Sequence, residues 1–509
     1  MKKFLALLLA SVMTLALLAG CGGGNGDQTP STPDTPSNTD TPDTPDTPDT
    51  PDTPDTPSTS DGEVPTITWY MVGGGQPSNI DTWTEKANAY LDEKQIGAHI
   101  DIQCVDWGGW GDRRSMIIQT NEPYDIMFTD SGSYASDVAM GAFADLTELI
   151  KETPGITDLI PQNYLDACKI GGKLYAIPAY KDTAMANYFT WTKEYVEEYY
   201  PDYANIHTLA DATPAVKAIS EGTGEPALLL NKDGISPIVG QRYDQLGMGG
   251  MGAIGVSYYD PDGKVVCTFE QQDVMDQLKV MHEWMNAGYI NSDAATAPEA
   301  TGMCGVGVSQ GWPSAAKGWG DGRGAEVVVS LFGDIVVSTD TIQGSMACIS
   351  ASSAHPLEAL KILELVNTDN KFRDMLYYGE EGVNFDYVEE DGMQKVHKIN
   401  NDWTLAGYTQ GTFKTVSPQE GTQPYFDEVD EQNKNAISSV AMGFVFDKTP
   451  VADKIAACQA IFEEYKGLLQ TGTGEPESTV ATMMSSMRAS GFDDIVAEAQ
   501  AQLDAFLGK

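Results

Sequence analysis

The sequence predicts an α/β fold, and three observations support this class. From Val64 onward, short apolar segments alternate with amphipathic segments of helical period. This strand–helix–strand order is typical of sheets whose parallel strands are joined by right-handed crossovers. The chain has 509 residues, 41% of them hydrophobic, which is enough to build about two to four domains or lobes with buried cores.

The first 21 residues, MKKFLALLLASVMTLALLAGC, have the pattern of an export signal. Two lysines precede an apolar run over residues 4–20, as in secretory signals. A retained anchor helix is the alternative, because the run is near the lower limit for a membrane span. The ending LAGC resembles the bacterial lipobox, which implies that Cys21 is lipidated, with palmitate among the acyl groups, and becomes the mature N-terminus.

Residues 22–63 are predicted to be a disordered linker. They contain nine prolines, five TPD triplets over 41–55 and almost no apolar side chain, so they cannot form a core. Proline at every third position favours extended polyproline II, which would span about 130 Å at roughly 3.1 Å per residue. The linker also carries ten acidic and no basic side chains. We expect it to hold the body away from a membrane.

The charge of the chain excludes two classes of partner. The formal net charge is −44, and the body over 64–509, with 64 acidic and 28 basic residues, carries −36. Such a body repels phosphate backbones and anionic membrane surfaces, so we predict no nucleic-acid partner and no electrostatic membrane binding. The six cysteines of the body are far apart and its five histidines form no pair. We therefore expect free thiols, no metal site and no cofactor.

The body opens with three predicted strands and two helices. The strands are ITWYMVG (67–73), AHIDIQCVDW (98–107) and YDIMFTD (124–130), and the helices follow the first two, over 81–94 with Asp81 as N-cap and around 113–119. Ligands of such sheets bind beyond the carboxyl ends of the strands. Three places therefore become candidates: the glycine-rich turn at 73–75, the segment 107–110 and the segment 130–134.

The remaining elements are predicted from the same patterns. Pro178 inside an apolar strand indicates an edge or crossover strand. A hairpin with a DPDG turn follows over 253–269, then a helix over 273–290 and a strand leading into a helix over 303–319. Later elements are strands over 326–333, 335–338 and 345–350, a helix over 356–368, a helix that begins at Thr449-Pro450, and helices over 479–488 and 493–507.

The segment GGKLYAIP (171–178) resembles the strand that first crosses between the lobes of solute-binding lipoproteins of ABC importers, in the family that includes maltose-binding proteins. Segments over 280–296, 343–385 and 442–469 are similar to a lipoprotein subgroup with an extra C-terminal segment. The resemblance covers essentially all of 64–509. It implies a two-lobed, periplasmic-binding-protein-like fold, with one lobe over 64–180 plus 346–440 and the other over 181–345 plus 441–509.

The same resemblance implies where a ligand would bind. A solute would lie between the lobes, and hinge closure would present the closed form to a membrane permease. Trp312 ends a strand, precedes a helix and matches the family's sugar-stacking tryptophan. The other candidate ligand residues are aromatic or polar side chains near strand ends or near the two crossings: Trp69, Tyr70, Trp107, Trp110, Asp130, Tyr180, Lys181, Asp182, Gln343 and Ser345. A core position is the alternative for the aromatic residues, and an N-cap role is the alternative for Asp130.

Two motifs suggest other chemistry. The sequence GVSQG over 307–311 matches the G-x-S-x-G of hydrolases, with Asp340 and His355 downstream. However, His355 precedes a proline at a helix start, and no oxyanion segment lies upstream. The sequence GMGGMG over 247–252 matches a dinucleotide fingerprint, but a strand rather than a helix follows it. We expect neither motif to act, and no catalytic residue is predicted.

The predicted function is that of a monomeric, lipid-anchored receptor on the outer face of the cytoplasmic membrane. It would bind a small-molecule solute, an oligosaccharide, and deliver it to the membrane subunits of an ABC permease without performing chemistry. Three alternatives stay open: a surface enzyme acting on polysaccharide, an adhesin or sensor of the same fold, and a receptor for polyamines or peptides. The −36 charge of the body would suit a cationic solute, but net charge does not determine pocket charge.

Overall fold

The computed structural model describes residues 64–235, 237–300 and 302–509, within a unit that spans Gly62–Lys509. The predicted signal with Cys21 and the linker lie outside the described residues. The strands are β1 Thr66–Gly73, β2 His99–Asp106, β3 Ile126–Thr129, β4 Lys169–Ile170, β5 Lys173–Leu174, β6 Ala176–Pro178, β7 Met185–Thr192, β8 Tyr243–Asp244, β9 Ile254–Ser257, β10 Val265–Cys267, β11 Val306–Gln310, β12 Val327–Val337, β13 Met346–Ile349, β14 Phe385–Glu390, β15 Met393–Lys398 and β16 Ile437–Ser438.

Helices separate most of these strands. They are α1 Ile80–Glu93, α2 Trp107–Thr120, α3 Tyr134–Ala139, α4 Pro154–Leu159, α5 Gln162–Ala167, α6 Lys193–Tyr199, α7 Leu209–Thr223, α8 Pro237–Gly240, α9 Gln272–Asn286, α10 Ala316–Arg323, α11 Thr339–Ile342, α12 Pro356–Thr368, α13 Asn370–Tyr378, α14 Phe426–Asn435, α15 Ala452–Gln470, α16 Pro476–Ala489 and α17 Phe492–Leu507. Among the described residues, no helix is both long enough and apolar enough to span a membrane.

The first sheet has the strand order β2-β1-β3-β13-β6. Strands β1, β2 and β3 are parallel, as the alternation of elements predicts, and β13 is antiparallel to both β3 and β6. Strand β1 is rich in β-branched and aromatic residues, and it is buried from Trp69 to its end, as is typical of a strand covered on both faces. Strand β6, which ends at Pro178, lies at the edge of the sheet, as predicted.

The second sheet has the order β11-β7-β12-β16 and is largely antiparallel. The two strands predicted over 326–333 and 335–338 are one strand, β12. Its register against β7 shifts between Phe332 and Val336, and Gly333 between them has a φ of +70°. The predicted break between the two strands is therefore a β-bulge within one strand, with Gly333 in the left-handed region.

Buried side chains form two large cores and one small core. The first core takes its residues from 67–184, 337–376 and 405–406, and the second takes them from 189–332 and 441–503. The small third core consists of Tyr378, Phe385, Val396, Phe413 and Val416. Two connections, 179–184 and 338–345, join strands of the first sheet to strands of the second, and we call them the crossing segments. The predicted lobe ranges follow a similar division of the chain and stay a prediction.

Three helix starts differ from the sequence-based expectation. Helix α1 begins at Ile80 with Asn79 at the N-cap, so Asp81 lies in the first turn. Helix α2 begins at Trp107, because the Asp106 carboxylate accepts a hydrogen bond of 2.9 Å from Gly109 N and caps a turn that looks like a glycine loop. A 3₁₀ turn over Thr449–Val451 precedes α15. An apolar stripe along α15, which includes Ile455, Cys458 and Phe462 at helical spacing, is buried.

Candidate ligand-binding site

Aromatic side chains from distant parts of the chain meet near the crossing segments. Neighbouring rings have centroids 4.7–6.4 Å apart, within the range of favourable aromatic pairs. We call this group the aromatic cluster; its members are Trp107, Trp312, Tyr377, Tyr408, Phe413 and Tyr425. Only Trp312 comes from a segment of the second sheet. The cluster therefore includes side chains from both of the parts that the crossing segments join.

The pair formed by Trp312 and Tyr425 is the tightest in the cluster. The ring centroids lie 4.7 Å apart, and the planes are inclined by 20°. Trp312 lies between β11 and the turn that leads into α10, and Tyr425 immediately precedes α14. Phe413 contacts both rings edge-on at 6.0 and 5.7 Å. Both stacked rings are only half-buried, so part of their apolar surface remains available to a ligand.

A second stacked pair joins Trp107 to Tyr408. Their centroids lie 6.4 Å apart, and the planes are inclined by 12°. The two residues are among the most exposed large side chains of the described chain, at 46% and 45%. Trp107 is the first residue of α2 and so lies at the carboxyl end of β2, while its ring edge contacts Phe128 at 5.7 Å. This pair forms an open aromatic surface at the edge where ligands of α/β sheets bind.

Tyr377 lies between the two stacked pairs. Its ring contacts Phe413 at 6.4 Å. Burial raises the pKa of Tyr377, the Arg373 guanidinium opposes the shift, and the charges of Asp182 and Tyr408 add to it. Tyr377 also packs against Gly407, where a Cβ atom would lie 2.6 Å from Tyr377 Cδ2. It therefore adjoins both Phe413 and the backbone next to Tyr408.

Polar groups flank the cluster. In the first crossing segment, Lys181 Nζ lies 2.8 Å from Asp182 Oδ1, and both side chains are about one-fifth exposed. Gln432 Nε2 donates a hydrogen bond of 3.0 Å to Gly311 O, the residue before Trp312. The other amide atom, Oε1, is buried and has no hydrogen-bond partner in the part of the chain that the structure describes. Rings with a few adjacent carboxylate and amide groups are typical of a concave ligand site.

A cavity of about 1140 Å³ borders the second crossing segment, which contributes Thr339, Asp340 and Gln343 to its lining. One wall is formed by 131–139 and 163–172, and the opposite wall by 244–247, 442–449 and 502–506. None of the six members of the aromatic cluster lines it. The cavity lacks the paired rings, so we assign the candidate site to the cluster.

Known proteins resemble the chain over most of its length. Residues 440–508 match a family model described as a domain of unknown function (DUF3502). A carbohydrate ABC transporter substrate-binding protein of Streptococcus pneumoniae serotype 4 is 26% identical over 465 residues, which are 88% of this chain and 92% of the relative. The crystal structure of the N-glycan transport solute binding protein NgtS from Streptococcus pneumoniae has a TM-score of 0.76 at 25% identity, covering 87% of this chain and 99% of NgtS.

The chain thus resembles solute-binding proteins of ABC transporters over most of its length. It has the two-lobed α/β fold of that class. An HMO-binding, ABC-transporter-associated solute-binding protein from Bifidobacterium longum infantis has the same fold, with a TM-score of 0.56 at 15% identity. The match covers 87% of this chain and 99% of that protein. Two further NgtS structures contain Man1GlcNAc and Man5GlcNAc, with TM-scores of 0.69 and 0.66 at 24% identity over 87% of this chain and 99–100% of NgtS. The predicted resemblance to solute-binding proteins of ABC importers is therefore confirmed.

Among the candidate residues, Trp107 and Trp312 belong to the aromatic cluster. Lys181 and Asp182 directly follow Tyr180, whose carbonyl oxygen accepts a hydrogen bond of 3.2 Å from Phe413 N. Six other candidate residues are buried, and each has a structural partner. Trp69, Tyr70 and Trp110 lie in the first core. Tyr70 also donates a hydrogen bond of 2.7 Å to Glu122. Burial of this kind favours the core alternative for these three residues, and their contact with a ligand stays a prediction.

The buried polar candidates hold the crossing segments in place. Tyr180 donates a hydrogen bond of 2.6 Å to Asp430 on α14. Gln343 Nε2 donates to Ala167 O at 2.7 Å, and Ser345 Oγ donates to Thr409 O at 3.1 Å. All three are at most 4% exposed. These bonds to neighbouring segments favour a structural role, and ligand contact by these three residues stays a prediction.

Asp130 is half-buried just after β3. The sequence leaves two roles open for it, a ligand contact and a helix N-cap. Its Oδ1 accepts a hydrogen bond of 3.0 Å from Gly132 N and one of 3.3 Å from Ser133 Oγ. The carboxylate thus stabilises the turn that leads into α3. Ser133 rather than Asp130 is the N-cap of α3, so the carboxylate has a structural role in the preceding turn, and its role as a hydroxyl acceptor stays a prediction.

Four members of the aromatic cluster were not among the predicted ligand residues: Tyr377, Tyr408, Phe413 and Tyr425. The segment around 403–416 has no regular period, and its one other large ring, Trp403, packs against Trp83 at 5.3 Å. Of these four, only Tyr425 has a sequence pattern that could have identified it as a ligand candidate. It immediately precedes a helix with an acidic first turn, just as Trp312 precedes a helical turn. The motif residue Ser309 lies within β11, paired with Tyr188, and among the described residues no hydrogen bond joins it to Asp340 or His355.

Proposed function

We propose that this protein is a lipid-anchored extracellular receptor that binds an oligosaccharide and delivers it to the membrane subunits of an ABC transporter. The aromatic cluster carries the proposal, because the C–H faces of sugar rings pack on aromatic rings while hydroxyl groups need amide and carboxylate partners. Asp182 and Gln432 supply such partners beside the rings. The two S. pneumoniae relatives, one described as a carbohydrate and the other as an N-glycan transport protein, support the same ligand class.

In this proposal the solute lies between the two lobes, in a cleft closed by hinge motion at the crossing segments. The ligand binds the closed state more tightly than the open state, and the permease binds the closed state. The protein acts as a monomer and catalyses no reaction. Hydrolysis of a panel of oligosaccharides by the purified protein would instead favour the surface enzyme.

Titration calorimetry with Man5GlcNAc, Man1GlcNAc, spermidine and a tripeptide tests the ligand class. We expect binding of a glycan and a melting temperature that rises with its concentration, because a ligand specific for the folded state stabilises it by about 2.7 kcal/mol at 100 times Kd. Binding of spermidine alone would contradict the sugar proposal and favour a polyamine receptor. Binding of the tripeptide alone would favour a peptide receptor.

The lipid anchor requires a separate test in cells. Cys21→Ala should remove the acylation site, so the protein should lose the acyl chain that holds it at the outer face of the cytoplasmic membrane. Incorporation of labelled palmitate and fractionation of the cells measure this change. A variant that stays fully membrane-bound and uncleaved would contradict the lipoprotein proposal and favour a retained anchor helix.

A further inference from the structure

Arg373 is an enclosed cation next to the aromatic cluster. It lies on α13, and its side chain is 0% exposed. In the part of the chain that the structure describes, no carboxylate lies within ion-pair distance of it. Burial lowers the pKa of Arg373 to about 10, so the group still carries its charge near neutral pH. An enclosed charge of this kind is costly unless hydrogen bonds compensate for it.

The compensating hydrogen bonds all come from one short segment, 407–412. Arg373 Nε donates to Thr412 O at 2.9 Å, and Nη2 donates to Gly407 O at 2.8 Å and to Gly411 O at 3.5 Å. Nη1 donates to the side chain of Gln410 at 3.1 Å. The planar guanidinium has five N–H donors in a fixed fork, which lets it bridge several acceptors of an irregular loop at the same time.

This segment carries part of the aromatic cluster. Tyr408 lies within it, and Phe413 follows it directly. Regular structure in the segment is limited to a three-residue 3₁₀ turn at Gly407–Thr409, so helix or sheet hydrogen bonds do not fix its course. The guanidinium carbon of Arg373 also lies 5.2 Å from the ring centroid of Tyr377, a cation–π distance.

We propose that Arg373 is a positioning residue for solute binding, which sets the relative placement of Tyr408, Phe413 and Tyr377 without touching the solute. This proposal rests on the proposed function of the cluster as the oligosaccharide site. Arginine is needed because the loop presents carbonyl oxygens at several separated points. A lysine would offer three donors at a single point and could satisfy only part of the loop.

Hydrogen exchange tests the positioning role without any solute. Arg373→Met should speed amide exchange in peptides covering 404–414 by at least tenfold, while peptides from β1 keep the wild-type rate. Arg373→Lys should give a smaller increase over the same peptides, and it serves as the second variant if the Met variant does not fold. The matched control is Arg488→Met, because Arg488 pairs with Glu270 on the surface of the second core. Unchanged exchange over 404–414 in both Arg373 variants would overturn the proposal.

A double-mutant cycle on Man5GlcNAc affinity separates positioning from general stability. We expect Arg373→Met and Tyr408→Ala each to weaken binding about tenfold, and the double variant to be weakened much less than a hundredfold, because Arg373 acts through the loop that holds Tyr408. Independent effects that multiply would overturn the proposal. If the wild-type protein binds none of the glycans, the proposed function fails, and the exchange measurement still decides whether Arg373 holds the loop.

Discussion

Replacing Trp312 with alanine is the most direct test of the aromatic cluster. An aromatic side chain can bury roughly 150–250 Å², and one face stacked on a sugar ring accounts for about half, near 100 Å². At about 25 cal/mol per Å², the lost contact corresponds to about 2.5 kcal/mol. Since every 1.4 kcal/mol is tenfold in affinity, we expect Trp312→Ala to bind Man5GlcNAc about 60-fold more weakly.

The stability of the folded protein should fall as well. Trp312 is half-buried and stacks on Tyr425 at 4.7 Å; its buried half contributes about 2.5 kcal/mol by the same arithmetic, and the ring pair adds about 1 kcal/mol, within the roughly 5–15 kcal/mol of a typical fold. Titration calorimetry measures the affinity and urea unfolding measures the stability. Trp312→Phe is the matched control, because it keeps a ring and should recover most of the affinity. Wild-type affinity in Trp312→Ala would refute the placement of the site.

Three further predictions concern residues that the structure separates by role. Trp107→Ala should weaken glycan binding about tenfold, as judged by calorimetry, since it removes one ring of the exposed pair; an unchanged Kd would confine the site to the Trp312 side. Asp130→Asn should bind like wild type, because an amide oxygen can accept the same turn hydrogen bonds, and a large loss would show that the carboxylate contacts the solute. Burial raises the pKa of Asp244 to about 6, above its unfolded value of about 3.9, so its unfavourable charge develops as pH rises through 6. Asp244→Asn should therefore be more stable than wild type by about 2 kcal/mol at pH 7.5 and little different at pH 4 in urea unfolding; a difference that does not change with pH would contradict this reasoning.

The fold was predictable to the extent that it depends on local pattern. The β1–α1–β2–α2–β3 order, the edge position of Pro178 and the buried stripe of α15 all follow from periodicity and proline chemistry. The break predicted near Gly333 was wrong, because a glycine can mark a bulge within one strand as well as a turn between two strands. The glycines at 108 and 109 suggested a loop, yet the Asp106 cap makes them the first turn of α2.

Residues of the candidate site were predictable only where an aromatic side chain lies at the end of a strand or the start of a helix. Trp107 and Trp312 lie at such boundaries, past the end of a strand, where the backbone leaves the sheet and its side chains cannot be covered by neighbouring strands. Trp69 and Tyr70 lie inside β1, which pairs with strands on both sides. In a parallel strand buried on both faces, period-two alternation does not separate a core face from a ligand face, so the sequence could not exclude these two residues.

The rest of the site depends on how distant segments meet. Trp107 meets Tyr408, and Trp312 meets Phe413 and Tyr425, because the irregular stretch 403–417 and the segment before α14 pass next to the ends of β2 and β11. Arg373 looks like a surface arginine in the sequence NKFRDMLYY, yet it lies one helical turn before Tyr377, on the same face of α13, and the loop covers it. The strands therefore supply the scaffold, and the segments between them set the ring spacing. Substitutions that loosen those segments should thus change affinity more than substitutions that weaken the sheets by the same free energy.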